Sequence, residues 1–216
     1  MNAARLDARP GPPAAGSRAQ PGTRPLEGGG LVHVPDPLPD PSPLLVLLHG
    51  AGSSGAAVLE PLLAAAPELP AVVLAPDSRA SSWDVIHGGY GPDVRALDAT
   101  LAALFARVAV DPERVVLGGF SDGASYALSL GVSNGDLFRR ILAFSPGFVA
   151  PGGRAGRPAV FVTHGVHDRV LPIDRCSRRV VPALRAAGYD VRYAEFDGGH
   201  EVPPPLVREA FAWATA

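Results

Sequence analysis

The chain has 216 residues, a formal net charge of −2 at neutral pH and 47% hydrophobic residues, which suits one domain with a substantial core. It contains no lysine, since all 19 basic residues are arginine, so a lysine nucleophile, a Schiff base and a P-loop lysine are excluded. The charge balance lacks the basic excess of a nucleic-acid-binding protein, and the single cysteine, Cys176, excludes an intramolecular disulfide and a multi-cysteine metal site.

The N-terminal region is rich in proline and is predicted to be irregular. Residues 1–43 hold 10 of the 24 prolines, and each proline removes a backbone donor and restricts the residue before it. We expect residues 1–27 to be disordered and residues 28–216 to form one domain. No apolar segment of a secretory signal is visible, and the longest apolar run, Leu44–Leu48, is too short to span a bilayer. We therefore expect a cytoplasmic protein without stable membrane insertion.

From residue 44 onward, short apolar runs alternate with longer amphipathic segments. Strands are predicted at 44–49, 71–76, 114–119, 140–145, 159–164 and 191–196, with an edge strand at 31–35. Helices are predicted near 55–65, 93–108, 122–132, 175–187 and 203–214. The continuous apolar strands and the alternation indicate an α/β fold with a mostly parallel central sheet and helices on both faces. Functional groups should then lie beyond the carboxyl ends of the strands.

Ser121 lies between a predicted strand and a predicted helix, in the sequence GGFSDGASYAL. A sharp strand-to-helix turn strains its central residue, and small residues such as Gly119 and Gly123 avoid a clash on either side. Such a turn places the serine Oγ above the sheet at a helix N-terminus, where backbone N–H groups are unpaired. From this motif alone, a glycine-rich turn with an incidental serine remains the alternative.

A serine nucleophile needs a base that is oriented by a carboxylate. His200, in FDGGHEVPPP after the last predicted strand, is the candidate base, and Asp168, just past AVFVTHG, is the candidate carboxylate. The order Ser121, Asp168, His200 is the chain order typical of α/β-hydrolases. The rival carboxylates are Asp197, the second choice, Asp174 and Asp190.

Ester hydrolysis also requires N–H donors that face the oxyanion. The amide of Asp122, directly after the candidate nucleophile, is predicted to supply one, and the amide of Ala51, in HGAGSSG, the other. His164, His167 and Asp168, two loop histidines and one aspartate, do not make a convincing set of zinc ligands. We expect neither a metal nor an organic cofactor.

The glycine-rich loop permits a second interpretation. GAGSSG, at 50–55, has the Gly-x-Gly-x-x-Gly spacing of a dinucleotide-binding turn, and Asp77 follows the next predicted strand at about the distance of a ribose ligand. This alternative leaves the loops that carry Ser121, Asp168 and His200 unexplained. The hydrolase interpretation accounts for those three loops and for the glycine-rich loop at 50–55.

The chain resembles the phospholipase/carboxylesterase branch of the α/β-hydrolases, which includes acyl-protein thioesterases and small bacterial esterases. The resemblance covers about residues 28–216 and depends on LLHGAGSSG, SSWDV, GGFSDGASYAL, THGVHDRVLPI and GGHEVPP. It implies the α/β-hydrolase fold without a large lid domain. It also implies that Ser121 is the nucleophile, His200 the base and Asp168 the residue that orients the base.

The resemblance extends to the substrate pocket, with one departure. Trp83, in SSWD, resembles an aromatic residue that lines the acyl pocket, although a tryptophan that fills the core under a loop is the equal alternative. His87 and Tyr90 are predicted at the pocket rim. Many relatives carry glutamine where this chain has Asp122, whose carboxylate is expected to turn outward and favour the helix N-terminus.

Together these residues predict a serine esterase that cleaves short-chain acyl esters through an acyl-enzyme intermediate. The short segments between strands leave no room for a large lid, which favours small, soluble esters. The alternatives are a lysophospholipase or thioesterase acting on longer acyl groups, and a non-catalytic binding protein of the same fold. The expected partner is a small-molecule ester rather than nucleic acid, and the protein is expected to be a monomer or a homodimer.

Overall fold

The chain folds around one mixed sheet, and the structure, a computed structural model, describes residues 3–17 and 19–215. The strands are β1 (Gly22–Pro25), β2 (Gly30–Val34), β3 (Ser42–Leu48), β4 (Val72–Pro76), β5 (Val110–Phe120), β6 (Arg140–Phe144), β7 (Ala159–Gly165) and β8 (Val191–Phe196). The helices are α1 (Gly55–Ala65), α2 (Pro92–Phe105), α3 (Asp122–Ser133), α4 (Ser177–Ala186) and α5 (Pro204–Thr215), with short 3-10 helices at Asp84–His87 and Ile173–Arg175.

Across the sheet the strands stand in the order β1-β2-β4-β3-β5-β6-β7-β8. The pairs β1–β2 and β2–β4 are antiparallel, and every pairing from β4 to β8 is parallel. The predicted mostly parallel sheet is therefore confirmed. The strand predicted at 31–35 is β2, but it is not an edge strand, because β1 pairs with it on its outer side.

Alternate residues of the central strands face two separate hydrophobic clusters, as the two-residue period of a strand requires. In β3, Leu44 and Leu48 face one cluster, while Leu45 and Leu47 face the other. Helices α2, α3 and α4 supply side chains to the first cluster, and α1 and α5 to the second. Both faces of the sheet are thus covered. In the described part of the chain, no helix is long and apolar enough to cross a membrane.

The first described residues lie against the domain, which differs from the disorder expected for residues 1–27. Leu6 is 1% exposed and belongs to the larger hydrophobic cluster. Asn134, just after α3, accepts the N–H of Leu6 with its Oδ1 at 2.9 Å and donates its amide nitrogen to the carbonyl of Ala4 at 2.7 Å. One side chain therefore satisfies two backbone groups of the N-terminal segment.

Charged groups add to this attachment of the N-terminal segment. The guanidinium of Arg5 binds both carboxylate oxygens of Asp136, at 2.8 and 2.7 Å, and holds the pKa of that carboxyl well below its usual range. Asp98, in α2, accepts the backbone N–H groups of Asp7 and Ala8. Because the ion pair is partly exposed, it is expected to contribute little stability, and burial of Leu6 is the larger contribution.

We predict that Leu6→Ala lowers the free energy of unfolding by about 2–5 kcal/mol, the range for removing a fully buried leucine side chain. The comparison is Arg9→Ala, which loses a partly exposed ion pair with Asp136 and hydrogen bonds to the carbonyls of Leu6 and Ala8 and should lose less stability than Leu6→Ala. Urea unfolding followed by circular dichroism measures both. Equal unfolding midpoints for Leu6→Ala and the unmutated protein would mean that the segment does not pack on the domain.

Candidate active site

Ser121 occupies a strained turn between β5 and α3. Its backbone has φ 59° and ψ −120°, a left-handed conformation that is costly for any residue with a side chain. A Cβ at Gly119 would lie 2.3 Å from the carbonyl oxygen of Gly123, and a Cβ at Gly123 would lie 2.2 Å from the carbonyl oxygen of Leu48. Glycine is therefore required on both sides of Ser121 for the turn to close.

The structure brings the side chains of Ser121, His200 and Asp168 together from the ends of three strands. The His200 Nε2 lies 2.9 Å from the Ser121 Oγ, and the His200 Nδ1 lies 2.6 Å from the Asp168 Oδ2. An ionised carboxylate only accepts hydrogen bonds, so the ring proton of His200 is on Nδ1, and this N–H donates a hydrogen bond to Asp168. Nε2 is left as the acceptor that faces the serine hydroxyl.

Asp168 is held as a carboxylate. Its Oδ1 accepts the backbone N–H groups of Val170 and Leu171 at 2.9 and 2.8 Å. Burial raises the pKa of Asp168, but the hydrogen bonds from His200 and from these two amides outweigh it, so the pKa lies below its ordinary value. Asp168 is therefore ionised at neutral pH and able to stabilise a positive charge on His200.

The three rival carboxylates lie elsewhere. Asp197 is 92% exposed at its side chain and pairs with His167, while Asp174 pairs with Arg178. Asp190 is exposed just before β8. Within residues 3–17 and 19–215, no group of three or more histidine, cysteine or acidic side chains could hold a metal ion.

The loop after β3 passes beside Ser121, as an oxyanion-binding loop must. A Cβ at Gly50 would lie 3.4 Å from the Cβ of Ser121. Among the hydrogen bonds of the described residues, none uses the backbone N–H of Ala51 or of Asp122. Both amides predicted to bind the oxyanion are thus available to a ligand.

His49 fixes this loop, a role that the sequence did not predict although the residue stands inside LLHGAG. The ring is 1% exposed, and its Nε2 accepts the N–H of Ser78 at 3.0 Å. Its Nδ1 therefore carries the proton and donates to the carbonyl of Gly50 at 2.7 Å. Because the peptide group is planar and trans, that bond directs the N–H of Ala51 away from His49.

The side chain of Asp122, expected to turn outward at the helix N-terminus, is bound by a neighbouring loop. Its Oδ2 accepts a hydrogen bond from the hydroxyl of Ser82 at 2.7 Å, and the residue is half-buried. The carboxylate still lies at the N-terminus of α3, where a negative charge is favourable. Ser82 supplies a donor there because the segment before the first 3-10 helix packs against α3.

Trp83 lies in the larger hydrophobic cluster, at the inner wall of the cavity between α2 and the strands β1 and β2. It is 2% exposed, stacks on Tyr126 with ring centroids 5.2 Å apart, and donates from its indole nitrogen to the carbonyl of His49 at 2.8 Å. Those contacts correspond to the alternative, a tryptophan that fills the core beneath a loop. With almost no exposed surface, Trp83 has little to offer a substrate.

His87 and Tyr90 share a surface depression of about 320 Å³ with Ser82. His87 is exposed, and the Tyr90 hydroxyl donates to the carbonyl of Ala150 at 2.7 Å. A larger cavity of about 940 Å³ lies between α2 and the strands β1 and β2. The lining of neither includes Ser121, Asp168 or His200, so cavity size does not locate the chemistry.

The dinucleotide interpretation is not supported by the same loop. The Asp77 Oδ1 accepts the N–H of Gly55 at 2.7 Å, and the Ser54 hydroxyl accepts the N–H of Ala57. The carboxylate that would bind a ribose and two amides that would bind a phosphate are thus already used within the protein. The first turn of α1 is capped by its own neighbours.

Comparisons with known proteins identify the family. The family model described as Phospholipase/Carboxylesterase matches residues 92–212, more than half of the chain. Acyl-protein thioesterase 1 of Gibberella zeae is 30% identical over 112 residues, which are 47% of this chain and 47% of that protein. Probable feruloyl esterase C of Aspergillus terreus is 29% identical over 105 residues, 48% of this chain and 38% of that protein. The matched stretch thus spans less than half of either relative.

A solved structure, that of the esterase PE8, matches almost the whole chain. It is 27% identical, covers 91% of this chain and 97% of its own, and superposes with a TM-score of 0.67. This match confirms the predicted α/β-hydrolase fold, and among the described residues no large lid domain is present. With its hydrogen-bonded serine, histidine and aspartate at the strand ends, the chain belongs to the phospholipase/carboxylesterase family of α/β-hydrolases.

Proposed function

We propose that this protein hydrolyses carboxylic esters, with Ser121 as nucleophile, His200 as general base and Asp168 as the residue that orients the base. The observation that carries the proposal is the continuous series of hydrogen bonds from the Asp168 carboxylate through His200 to the Ser121 Oγ, at 2.6 and 2.9 Å. A serine hydroxyl is a weak nucleophile unless such a base removes its proton.

Acylation follows from this arrangement. His200 Nε2 accepts the hydroxyl proton while the Ser121 Oγ bonds to the ester carbonyl carbon. The amides of Ala51 and Asp122 hold the resulting oxyanion, which is the charge that a preorganised site stabilises most. The bond to the leaving alkoxide then breaks as His200 returns the proton to it, and Asp168 stabilises the imidazolium throughout.

Deacylation uses the same groups a second time. His200 accepts a proton from water, and the oxygen of that water bonds to the acyl carbon. The Ser121 Oγ leaves with the proton that His200 gives back, and the carboxylic acid departs. Every proton transfer is made by His200, so these steps call for neither a metal ion nor an organic cofactor.

Short, soluble acyl esters are the substrates that we infer. Within the described residues no separate lid domain covers Ser121, and Val170, two residues after Asp168, is 66% exposed to solvent. An open site provides little enclosed apolar surface for a long chain. The likeness to an acyl-protein thioesterase makes thioester cleavage with a longer acyl group the second candidate.

The nucleophile is tested with Ser121→Ala on p-nitrophenyl esters. Loss of a triad nucleophile lowers kcat on the order of 10⁶-fold, so we expect no measurable turnover by the variant. A fluorophosphonate should add one covalent label to the unmutated protein and none to Ser121→Ala, as read by mass spectrometry. A protein that neither turns over any ester nor accepts the label would contradict the proposal and favour a non-catalytic binding protein.

The carboxylate is tested by comparing Asp168→Asn with Asp197→Asn. Asparagine at 168 cannot hold His200 in the required tautomer, so kcat should fall on the order of 10⁴-fold. Asp197 is exposed and lies on His167, so its variant should keep full activity in the same assay. The reverse result, an inactive Asp197→Asn beside an active Asp168→Asn, would reassign the carboxylate.

The substrate class is tested by acyl-chain length. With p-nitrophenyl esters from acetate to palmitate and the matching coenzyme A thioesters, kcat/KM should be highest for short oxygen esters, because an open site gains little from added methylenes. A maximum on long thioesters would instead support the thioesterase candidate, and the nucleophile assignment would stand in either case.

A further inference from the structure

A second histidine is buried beside Asp168, the residue that binds His200. His164, near the end of β7, is 0% exposed. Its Nε2 lies 2.8 Å from the carbonyl oxygen of Leu171 and 3.2 Å from the Asp168 Oδ2. Its Nδ1 lies 2.6 Å from the hydroxyl of Ser177, the first residue of α4. The ring therefore connects the strand, the loop that carries Asp168, and the next helix.

The partners of His164 determine where its proton lies. A carbonyl and a carboxylate only accept hydrogen bonds, so Nε2 carries the hydrogen. Burial lowers the pKa of His164 below its ordinary value, against the opposing effects of Leu171 and Asp168, so the ring is neutral. A neutral imidazole has one N–H, and Nδ1 is then an acceptor for the hydroxyl of Ser177.

These contacts reach both oxygens of the Asp168 carboxylate. The Oδ2 that binds His200 also lies 3.2 Å from the Nε2 of His164, whose N–H donates to the carbonyl of Leu171. The Oδ1 accepts the N–H of Leu171, the residue whose carbonyl His164 binds. A rotation of the carboxylate away from His200 would therefore break contacts on either side, whereas Ser177 keeps the His164 proton on the nitrogen that faces Asp168.

We propose that His164 is a positioning residue for ester hydrolysis: held by Ser177, it fixes the Asp168 carboxylate in the orientation that His200 requires. The inference depends on the function proposed above and adds residues to that site. His164 acts through Asp168, because a fully buried ring cannot touch a substrate. Its two ring nitrogens are both engaged, so it is not a metal ligand with His167, which pairs with the exposed Asp197.

The test compares His164→Gln with His164→Met. Glutamine places an N–H where the Nε2–H stood, and methionine has the same length and a similar shape without a donor. Loss of one neutral hydrogen bond, here the bond to the carbonyl of Leu171, corresponds to roughly a 2- to 10-fold change in rate. We expect His164→Met to lose kcat for p-nitrophenyl acetate by that factor with little change in KM, and His164→Gln to keep most of the activity.

A second readout needs no substrate. The strong hydrogen bond between His200 and Asp168 should give a far-downfield proton resonance, retained in His164→Gln and shifted or lost in His164→Met. If His164 had only a structural role, both variants would have a lower thermal midpoint, and the resonance would not distinguish His164→Gln from His164→Met. Wild-type kcat and resonance in His164→Met, or equal impairment of the two variants, would overturn the inference.

Ser177→Ala keeps the inference testable if His164→Met fails to fold. It removes the donor to Nδ1, and on its own we expect it to lower kcat and to shift the resonance. Where His164→Met does fold, adding Ser177→Ala to it should cause no further loss, because both substitutions disturb the same contacts. An unchanged kcat and resonance in Ser177→Ala would contradict the inference. Failure of the proposed function is distinguished by an unmutated protein that neither cleaves esters nor accepts a fluorophosphonate.

Discussion

The strained backbone of Ser121 is the constraint on which the rest of the site depends. A left-handed conformation of this kind costs about 1–3 kcal/mol and persists only where the surroundings impose it. Here the N–H of Ser121 donates to the carbonyl of Phe144 in β6, at 2.9 Å, and its carbonyl accepts the N–H groups of Ala124 and Ser125 at the start of α3. The sheet and the helix together hold the turn, and the missing side chains of Gly119 and Gly123 allow it to close.

Helix α3, which follows the turn at Ser121, is hydrogen-bonded to the surrounding loops. Three serines spaced four residues apart each donate to the helix carbonyl one turn back and accept a backbone N–H from the segment after β6; the pairs are Ser125 with Gly147, Ser129 with Ala150, and Ser133 with Gly152. At the end of the helix, Asn134 binds the N-terminal segment. The helix that begins at the candidate nucleophile is therefore attached along its whole length.

The sequence predicts what local pattern and chain order determine, and fails where a contact joins distant residues. Strands β3, β4, β6 and β7 and the second half of β5 are mainly apolar runs. Ser121, Asp168 and His200 follow β5, β7 and β8, so these strands and the candidate site residues are visible in the sequence. Strand β1 is four residues with glycine and proline at its ends, and it forms only because β2 lies beside it. Leu6 and the pairing of His164 with Ser177 likewise have no periodic signal, because their partners lie far away or across a turn.

Trp83 illustrates how a residue can matter to a site without lining it. Resemblance implied contact with an acyl group, but the indole is buried and donates to the carbonyl of His49. His49 in turn binds the carbonyl of Gly50, which is in the same rigid peptide group as the N–H of Ala51. The orientation of a proposed oxyanion donor thus depends on the core packing of Trp83 against Tyr126. His164 stands in the same relation to Asp168, so on both sides of Ser121 a buried imidazole of fixed tautomer supports the group that faces the reaction.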